Sequence, residues 1–361
     1  MMNSPFLFDT KTVNYIIGDG ALEQAAKLFT QYQSVFILMD KNVEKFCLDV
    51  LMSKLPDIKV RGYIKIPAGE SSKSIEHATH IWESLTNMGA SRDSLLINLG
   101  GGVVSDIGGF CASTFKRGLP FINIPTTLLA QVDASIGGKT GIDFLSFKNQ
   151  VGLFVDPKAV VIDPVFLKTL EFKYWQSGFA EVTKHALIMD KELWKLLGDR
   201  KFTEIEEWNK IIMRSAKDKI DIVRYDKTEH GIRKILNFGH TIGHAIETFY
   251  LKSDQPITHG QAIAAGIICE TWISSKMVKL ECDNVEEVIH RIDINFNRLP
   301  ITEKDIPKMM LLMRQDKKII DGDIKFSLLR KLGKAVHDIG GISAELIRDS
   351  FLFYINNKKC N

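Results

Sequence analysis

The stretch LLINLGGGVVSD at residues 95–106 is the part of the chain that says most about its fold. Its mostly apolar start predicts a buried strand, the three glycines predict a tight turn, and the residues after them open a helix. Glycines let a backbone approach a ligand closely, and the amides of a helix N-terminus bind phosphate. Ser105 stands where the dinucleotide fingerprint G-x-G-x-x-G has its last glycine, so a turn without a ligand stays open.

Apolar runs of strand length lie on both sides of this turn, at residues 13–17, 34–39, 60–66 and 121–124. The stretch at 75–88 has apolar residues at helical spacing. Strands that alternate with helices predict a parallel sheet covered on both faces. Such sheets bind ligands beyond the carboxyl ends of their strands.

Beyond residue 163 the pattern becomes mostly helical, at residues 175–189, 208–224, 237–250, 261–278 and 304–314. Only 323–329 has a strand-like pattern there. The predicted fold class is therefore α/β plus α. It comprises an N-terminal Rossmann-like α/β domain over residues 1–170 and a C-terminal mostly helical domain over residues 171–361.

Composition excludes several classes of protein. A net charge of +3 is too weak to argue for nucleic acid binding. The N-terminus does not have the pattern of a signal peptide, and no apolar run reaches about 18 residues, so no membrane span is expected. The five cysteines lack CxxC spacing and predict reduced thiols in a cytoplasmic protein.

A second glycine-rich run, GGKT at residues 137–140, imitates the end of a nucleotide-binding P-loop. A P-loop needs a glycine five residues before its Gly-Lys pair, and that position holds Asp133. We therefore reject an NTPase. A loop with hydroxyls, glycines and Lys139 suits an anionic or polyol ligand, although a lone lysine is more often a solvated surface charge.

Histidine spacing in the second half indicates a metal site. His240 and His244 lie four residues apart on one predicted helix face, His259 begins the next helix, and Glu181 lies on an earlier one. Catalytic zinc typically takes three N or O ligands and keeps one position open, which two histidines and one glutamate would satisfy. A lone HxxxH also occurs among hydrogen-bonded core histidines, so that alternative stays open.

Charged and amide side chains surround this metal candidate, at Lys184, Lys219, Glu229, Arg233 and Asn237. Cations near a divalent metal repel it unless an anion lies between them. A phosphorylated, carboxylated substrate would supply that anion. The alternative is a set of solvated charges on helix faces.

Taken together, these stretches resemble the 3-dehydroquinate synthases of the sugar phosphate cyclase superfamily over nearly the whole chain. The resemblance is carried by the glycine-rich run at 100–142 and by KNQVGLF (148–154), SGFAEVTKHALI (177–188), LNFGHTIGHAIE (236–247), HGQAIAAG (259–266) and DKK (316–318). Three departures, Ser105, Phe147 and His185, concern loop geometry rather than charged groups. The resemblance implies an NAD-binding α/β domain, a helical metal domain and a homodimer.

The resemblance also assigns the site residues. It implies zinc or cobalt on Glu181, His240 and His259, proton transfer by Glu229 and His244, and catalytic roles for Lys184 and Lys139. The implied NAD contacts are Asp40, Asn42, Glu70, Lys73, Gly101, Gly102, Val103, Asp106, Thr126, Thr127, Lys148, Phe166, Leu167, Lys168, Thr169 and Ser177. The implied substrate contacts are Asp133, Lys139, Asn149, Lys184, Lys219, Arg233, Asn237, His244, one of Lys317 and Lys318, and Arg117 reaching from the neighbouring subunit.

The implied reaction converts 3-deoxy-D-arabino-heptulosonate 7-phosphate to 3-dehydroquinate and phosphate, in the shikimate pathway of aromatic amino acid biosynthesis. It proceeds by transient NAD oxidation, phosphate β-elimination, re-reduction and aldol closure. Alternatives are another sugar phosphate cyclase, a metal-dependent polyol dehydrogenase and a binding protein without catalysis. Neither a nucleic acid nor a membrane partner is expected.

Overall fold

The computed structural model describes residues 5–145, 147–251, 253, 256–315, 319–320, 323–356 and 360. The chain divides into two compact units, Met1–Glu171 (unit 1) and Phe172–Asn361 (unit 2). The division lies next to the boundary expected after residue 170.

Unit 1 is built on a seven-stranded sheet with the order β1-β2-β9-β6-β5-β3-β4, beside a separate β7–β8 hairpin. All neighbouring strands of the sheet are parallel except β1 and β2. The strands are β1 (Phe6–Asp9), β2 (Asn14–Ile17), β3 (Val35–Asp40), β4 (Val60–Ile66), β5 (Leu95–Gly100), β6 (Phe121–Pro125), β7 (Lys139–Phe144), β8 (Phe147–Phe154) and β9 (Ala159–Ile162). The helices are α1 (Ala21–Gln24), α2 (Ala26–Thr30), α3 (Lys41–Lys54), α4 (Ile75–Asn87) and α5 (Gly102–Thr114).

Strand β3 shows why the central strands are continuous apolar runs. Ile37 and Met39 pack into the hydrophobic cluster on one face of the sheet, whereas Phe36 and Leu38 pack into the cluster on the other. Side chains alternate across a strand, so a sheet covered on both faces needs apolar residues at every position. The predicted α/β fold of this half is confirmed.

The order of the strands places a ligand crevice at a definite point. After β3 the chain continues to β4 on one side, then returns to β5 on the other side of β3. Parallel sheets bind ligands at such a switch point, outside the carboxyl ends of the strands. Those ends are Asp40 and Gly100, and the latter opens the glycine turn.

Unit 2 is mostly helical, and the 19-residue α10 packs against α6, α9, α11, α13 and β12. Its helices are α6 (Phe172–Met189), α7 (Lys191–Leu197), α8 (Trp208–Tyr225), α9 (His240–Tyr250), α10 (His259–Met277), α11 (Cys282–Asn295), α12 (Ile306–Gln315) and α13 (Ala344–Asn356). Short strands are β10 (Ile319–Ile320), β11 (Asp323–Ile324), β12 (Phe326–Lys331) and β13 (Lys334–Ile339).

The helix expected from residue 237 begins later, at His240. Ile232–Asn237 forms a separate 3₁₀ segment, and Gly239 lies in the left-handed region with φ 78°. That conformation suits glycine and separates the 3₁₀ segment from the helix. No helix within the described ranges is long and apolar enough to cross a membrane.

The cysteine prediction is wrong for two of the five residues. Cys282 and Cys360 form a disulfide, with their Cα atoms 5.5 Å apart. Sequence spacing cannot reveal such a pair because 78 residues separate its members. Cys47, Cys111 and Cys269 are buried free thiols, and burial raises the pKa of Cys47 to about 12.

Candidate functional site

Three side chains from three helices of unit 2 converge on one point. Glu181 lies on α6, His240 is the first residue of α9, and His259 is the first residue of α10. The Nε2 atoms of His240 and His259 lie 3.4 and 3.3 Å from Oε1 of Glu181. One nitrogen from each histidine and one carboxylate oxygen fit three ligands of a divalent cation.

Both histidine rings are oriented through their other nitrogen. Nδ1 of His240 lies 3.1 Å from the backbone oxygen of Phe238, and Nδ1 of His259 lies 3.3 Å from Oε2 of Glu247. Metal-binding histidines typically donate their second N–H to such a carbonyl or carboxylate. This arrangement leaves both Nε2 atoms directed at Glu181, which supports the fit to a metal.

A second possible ligand group shares one of these histidines. His244, Glu247 and His259 also place ligand atoms within 4.8 Å of one another. In this group Glu247 would be a direct ligand rather than an orienting partner. The sequence pattern left Glu247 unnoticed, although it lies three residues after His244 on the same helix face.

The charge states of the first group suit a cation. Burial by itself raises the pKa of Glu181, but Lys184 and the histidines outweigh it and hold that pKa well below its ordinary value. Burial and Lys184 lower the pKa of His240 to about 3. Burial also opposes protonation of His259, but Glu247 and Glu181 raise its pKa to about 10. A cation would therefore displace a proton from His259.

Three cationic side chains are buried in the same unit. Lys184 on α6, Lys219 on α8 and Arg233 in the 3₁₀ segment are 2%, 6% and 2% exposed. Lys184 forms an ion pair with Oε2 of Glu181, and the guanidinium of Arg233 donates to the backbone oxygen of Lys227 at 2.5 Å. Buried cations are costly, and an anionic ligand would lower that cost.

The expected proton-transfer residues also lie in this unit. The side-chain amide of Asn237 donates to Oε1 of Glu229 at 2.7 Å. Glu229 adopts a positive φ of 63°, which is uncommon for a residue with a side chain. The ring of His244 lies 5.2 Å from that of His240, centroid to centroid. The structure thus joins Glu229 to Asn237 and places His244 beside the histidine cluster.

In unit 1 the glycine turn is built for close approach. A Cβ at Gly100 would lie 2.6 Å from the Cβ of Val104, so any side chain there would collide with α5. Gly101 precedes α5, has no side chain to cap it, and lies against Thr127. The Thr126 amide donates to the Gly100 oxygen at 2.9 Å. The turn therefore presents amide groups of the helix N-terminus, as a phosphate site requires.

A buried lysine connects several of the other predicted cofactor residues. Nζ of Lys73 lies 2.8 Å from Oδ2 of Asp106, 3.7 Å from Glu70 and 2.5 Å from Oδ1 of Asn149. Burial lowers the pKa of Lys73, but Asp106 and Glu70 outweigh it and raise the pKa above its ordinary value. Lys148 lies 3.8 Å from Glu70. One charge network therefore links predicted NAD contacts to the predicted substrate contact Asn149.

The remaining predicted cofactor contacts have structural roles of their own. Oδ1 of Asp40 caps α3 by accepting from the amides of Asn42 and Val43. Phe166 and Leu167 belong to the 3₁₀ segment Pro164–Thr169, which also contains Lys168 and Thr169, and their side chains are buried. In unit 2, the Ser177 hydroxyl accepts from the Gly260 amide at 3.0 Å.

Arg117 lies near the amino ends of the parallel strands, whereas the glycine turn lies at their carboxyl ends. Arg117 follows the C-terminus of α5 and precedes the first residue of β6. The 13-residue α5 begins at Gly102 and spans about 20 Å. Asp133 lies in the π-helical stretch Ala130–Ala134, and the exposed Lys139 begins β7. Lys317 and Lys318 lie outside the described residues.

Comparison with known proteins gives a consistent result. The model of the 3-dehydroquinate synthase N-terminal domain matches residues 63–177, and that of the C-terminal domain matches residues 178–319. Among solved structures, a 2-epi-5-epi-valiolone synthase from Streptomyces hygroscopicus, with NAD+ and Zn2+ bound, has a TM-score of 0.84 at 24% identity. The likeness covers 97% of this chain and 99% of that one, and it shows a shared fold.

A 2-deoxy-scyllo-inosose synthase, complexed with carbaglucose-6-phosphate, NAD+ and Co2+, has a TM-score of 0.85 at 22% identity, covering 98% of this chain and 99% of that one. In sequence, the 3-dehydroquinate synthase of Parabacteroides distasonis is 41% identical over 326 residues, which are 90% of this chain and 92% of that protein. With both halves matched and the relative covered almost completely, this chain belongs to the 3-dehydroquinate synthase family.

Proposed function

We propose that this chain converts 3-deoxy-D-arabino-heptulosonate 7-phosphate to 3-dehydroquinate and phosphate, with a divalent metal and NAD. The observation that carries the proposal is the pair of Nε2 atoms facing Oε1 of Glu181 at 3.3 and 3.4 Å. When bound, the metal would polarise the substrate hydroxyls and NAD+ would accept and return a hydride.

The residues of unit 2 would bind and orient the substrate. Glu181, His240 and His259 would hold the metal, for which zinc and cobalt suit two nitrogens and a carboxylate. Lys184 and Arg233, both buried, would meet the anionic groups of the substrate. Buried cations in a fixed place stabilise charge that develops in the transition state, without reorganisation of solvent.

Proton movement would use the polar groups beside the histidine cluster. Glu229 accepts from the side-chain amide of Asn237, which orients the carboxylate, and this carboxylate would take part in proton transfer. His244 is one turn from His240 and would serve the substrate rather than the metal. Replacing His244 with alanine should lower turnover more than zinc affinity, and unchanged turnover would contradict this role.

In unit 1, NAD would bind across the switch point between β3 and β5. The amides at the start of α5 would hold its pyrophosphate, and Asp40 at the end of β3 would meet a ribose. The charged side chains around Lys73 would also contact NAD, beside Asp40 and the amides of α5. An alanine at Gly101 is expected to weaken NAD binding, because its Cβ would lie 3.1 Å from Thr127.

Two other functions would use this fold differently. A cyclase acting on another sugar phosphate would share the metal ligands and differ in the groups that meet the substrate. A polyol dehydrogenase would need no phosphate and would accumulate NADH. Retention of Arg233, Asn237 and His244 supports the heptulosonate substrate, and the 41% identity to a 3-dehydroquinate synthase agrees with it.

One incubation separates these functions. The purified chain is mixed with the heptulosonate phosphate, catalytic NAD and zinc, and phosphate and 3-dehydroquinate are both measured. We expect equal amounts of the two products, loss of both with EDTA, and no accumulation of NADH. Steady NADH formation from polyols without phosphate release would assign the chain to the dehydrogenases instead.

The cytoplasmic location stays a prediction, and the Cys282–Cys360 disulfide argues against it. We further propose a homodimer in which Arg117 serves the site of the partner subunit. The length of α5 supports this role, because it separates Arg117 from the glycine turn, which lies at the other ends of the parallel strands. Sedimentation of the purified chain tests the dimer directly. A monomer with full activity would contradict it.

A further inference from the structure

Helix α9 begins with His240, and the residue at its N-cap position has no side chain that could cap it. The preceding residue is Gly239, which has φ 78°. The first amides of a helix have no acceptor within the helix, and side chains normally fill that role. Because His240 lies in this first turn, whatever holds the turn also sets the direction of its imidazole.

The acceptor comes from another helix. Glu270 on α10 is fully buried, and its two carboxylate oxygens are divided between two amides of this turn. Oε2 accepts from the Gly239 amide at 2.7 Å, and Oε1 accepts from the Ile242 amide at 2.9 Å. A carboxylate at a helix N-terminus is also favoured by the helix dipole.

A glycine one turn earlier on α10 allows this contact. A Cβ at Gly266 would lie 2.0 Å from the backbone oxygen of Gly239 and 2.7 Å from the amide nitrogen of Gly243. The two helices therefore cross with their backbones in contact. At that separation the Glu270 side chain reaches the first turn of α9 with both oxygens.

We propose that Glu270 is a positioning residue that fixes His240 for metal binding by capping α9 from α10. This proposal rests on the proposed metal-dependent function. His259 begins α10, so one helix carries the second histidine ligand and also the group that holds the first. The carboxylate thereby sets the two imidazoles relative to one another.

The zinc affinity of the metal-free protein tests the proposal. Glu270→Gln keeps the size of the side chain but replaces one acceptor oxygen with an amide that faces an N–H donor. We expect zinc, offered alone and measured by competition with a chromogenic chelator, to bind about tenfold or more weakly. Cobalt should give an altered visible absorption spectrum, since the geometry around the ion changes.

Two matched variants on the same helix separate positioning from general destabilisation. Ser274→Ala, one turn after Glu270, removes a buried hydroxyl that accepts from the Leu329 amide of β12 at 2.9 Å and donates to the backbone oxygen of Glu270 at 2.6 Å. Thr271→Val changes the buried neighbour of Glu270 without loss of volume. Both should keep the wild-type zinc affinity and cobalt spectrum. Should Glu270→Gln fail to fold, Glu270→Asp, which keeps the charge but is one methylene shorter, is judged by the same criterion.

Wild-type zinc affinity in the Glu270 variant, or an equal loss in Ser274→Ala, would overturn the proposal. Zinc binding and phosphate release are measured separately, so the two proposals can fail independently. A wild-type protein that binds zinc but releases no phosphate would refute the proposed function and leave the positioning role standing. A wild-type protein that binds no zinc would refute both.

Discussion

Zinc affinity distinguishes the two ligand groups that share His259. In the group that we propose, Glu181, His240 and His259 hold the metal. Glu247 then only orients His259, with 3.3 Å between Oε2 of Glu247 and Nδ1 of His259. Glu247→Ala then removes an orienting partner, which costs about 10- to 100-fold in metal affinity. That range corresponds to about 1.4 to 2.7 kcal/mol.

The burial of Glu247 narrows the expected loss of zinc affinity for two substitutions, Glu247→Ala and Glu247→Gln. Glu247 is 7% exposed, so water screens its charge little, and we expect Glu247→Ala to lie in the upper half of the range. Glu247→Gln keeps an acceptor oxygen and loses only the charge, so it should lie in the lower half. Glu181→Ala and His240→Ala each remove a direct ligand and should weaken zinc binding more than either.

The alternative group gives a different order of zinc affinities. If His244, Glu247 and His259 were the ligands, Glu247→Ala and His244→Ala would weaken binding as strongly as His259→Ala, and His240→Ala would have little effect. Affinities come from chelator competition with the metal-free proteins. Glu192→Ala, which removes an exposed carboxylate on α7, serves as the control. Unchanged zinc affinity in Glu247→Ala would refute the orienting role.

Three further predictions concern packing, assembly and pH. Gly266→Ala should lower the free energy of unfolding by about 1–3 kcal/mol in urea titrations, because its Cβ would overlap the backbone before α9; an unchanged midpoint would contradict the close crossing. Mixing inactive Arg117→Ala and His240→Ala subunits should restore about a quarter of wild-type activity if Arg117 acts across a dimer, whereas no recovery would contradict that role. Burial and the nearby Asp190 raise the pKa of Asp218 to about 8, so the folded state holds a proton that the unfolded state releases above its ordinary pKa of 3.8. The wild-type protein therefore loses free energy of unfolding as pH rises towards 8. Between pH 5 and 8, Asp218→Asn should become progressively more stable than wild type. If urea titrations gave a difference between the two proteins that did not change with pH, this prediction would be contradicted.

Much of the fold followed from local patterns. The apolar run at 34–39 matches β3 closely, because both faces of this buried parallel strand need apolar side chains. The run at 60–66 matches β4, an edge strand in which exposed and less exposed residues alternate. The β7–β8 hairpin was not predicted, since several of its apolar residues, such as Leu145 and Val151, are exposed and interrupted by glycines. The start of α9 was placed too early because helical periodicity continues through the 3₁₀ segment.

The candidate site was predicted less directly. Helical spacing alone favoured His240 with His244, whereas the Nε2 atoms that face Glu181 belong to His240 and His259. The second pair was implied by the family resemblance. Glu247 as a partner of His259 was not predicted, because an orienting contact between two helices leaves no fixed spacing in the sequence.

Local patterns in the sequence predict the strands, the glycine turn and the residue types available for chemistry, because each depends on neighbours within a few positions of the chain. Which of those residues meet depends on how the helices and strands pack. Glu181 and His240 are far apart in the chain, and α9 is capped by Glu270 from another helix. Such contacts depend on how closely the helices approach, and here glycines at the crossing of α9 and α10 set that distance.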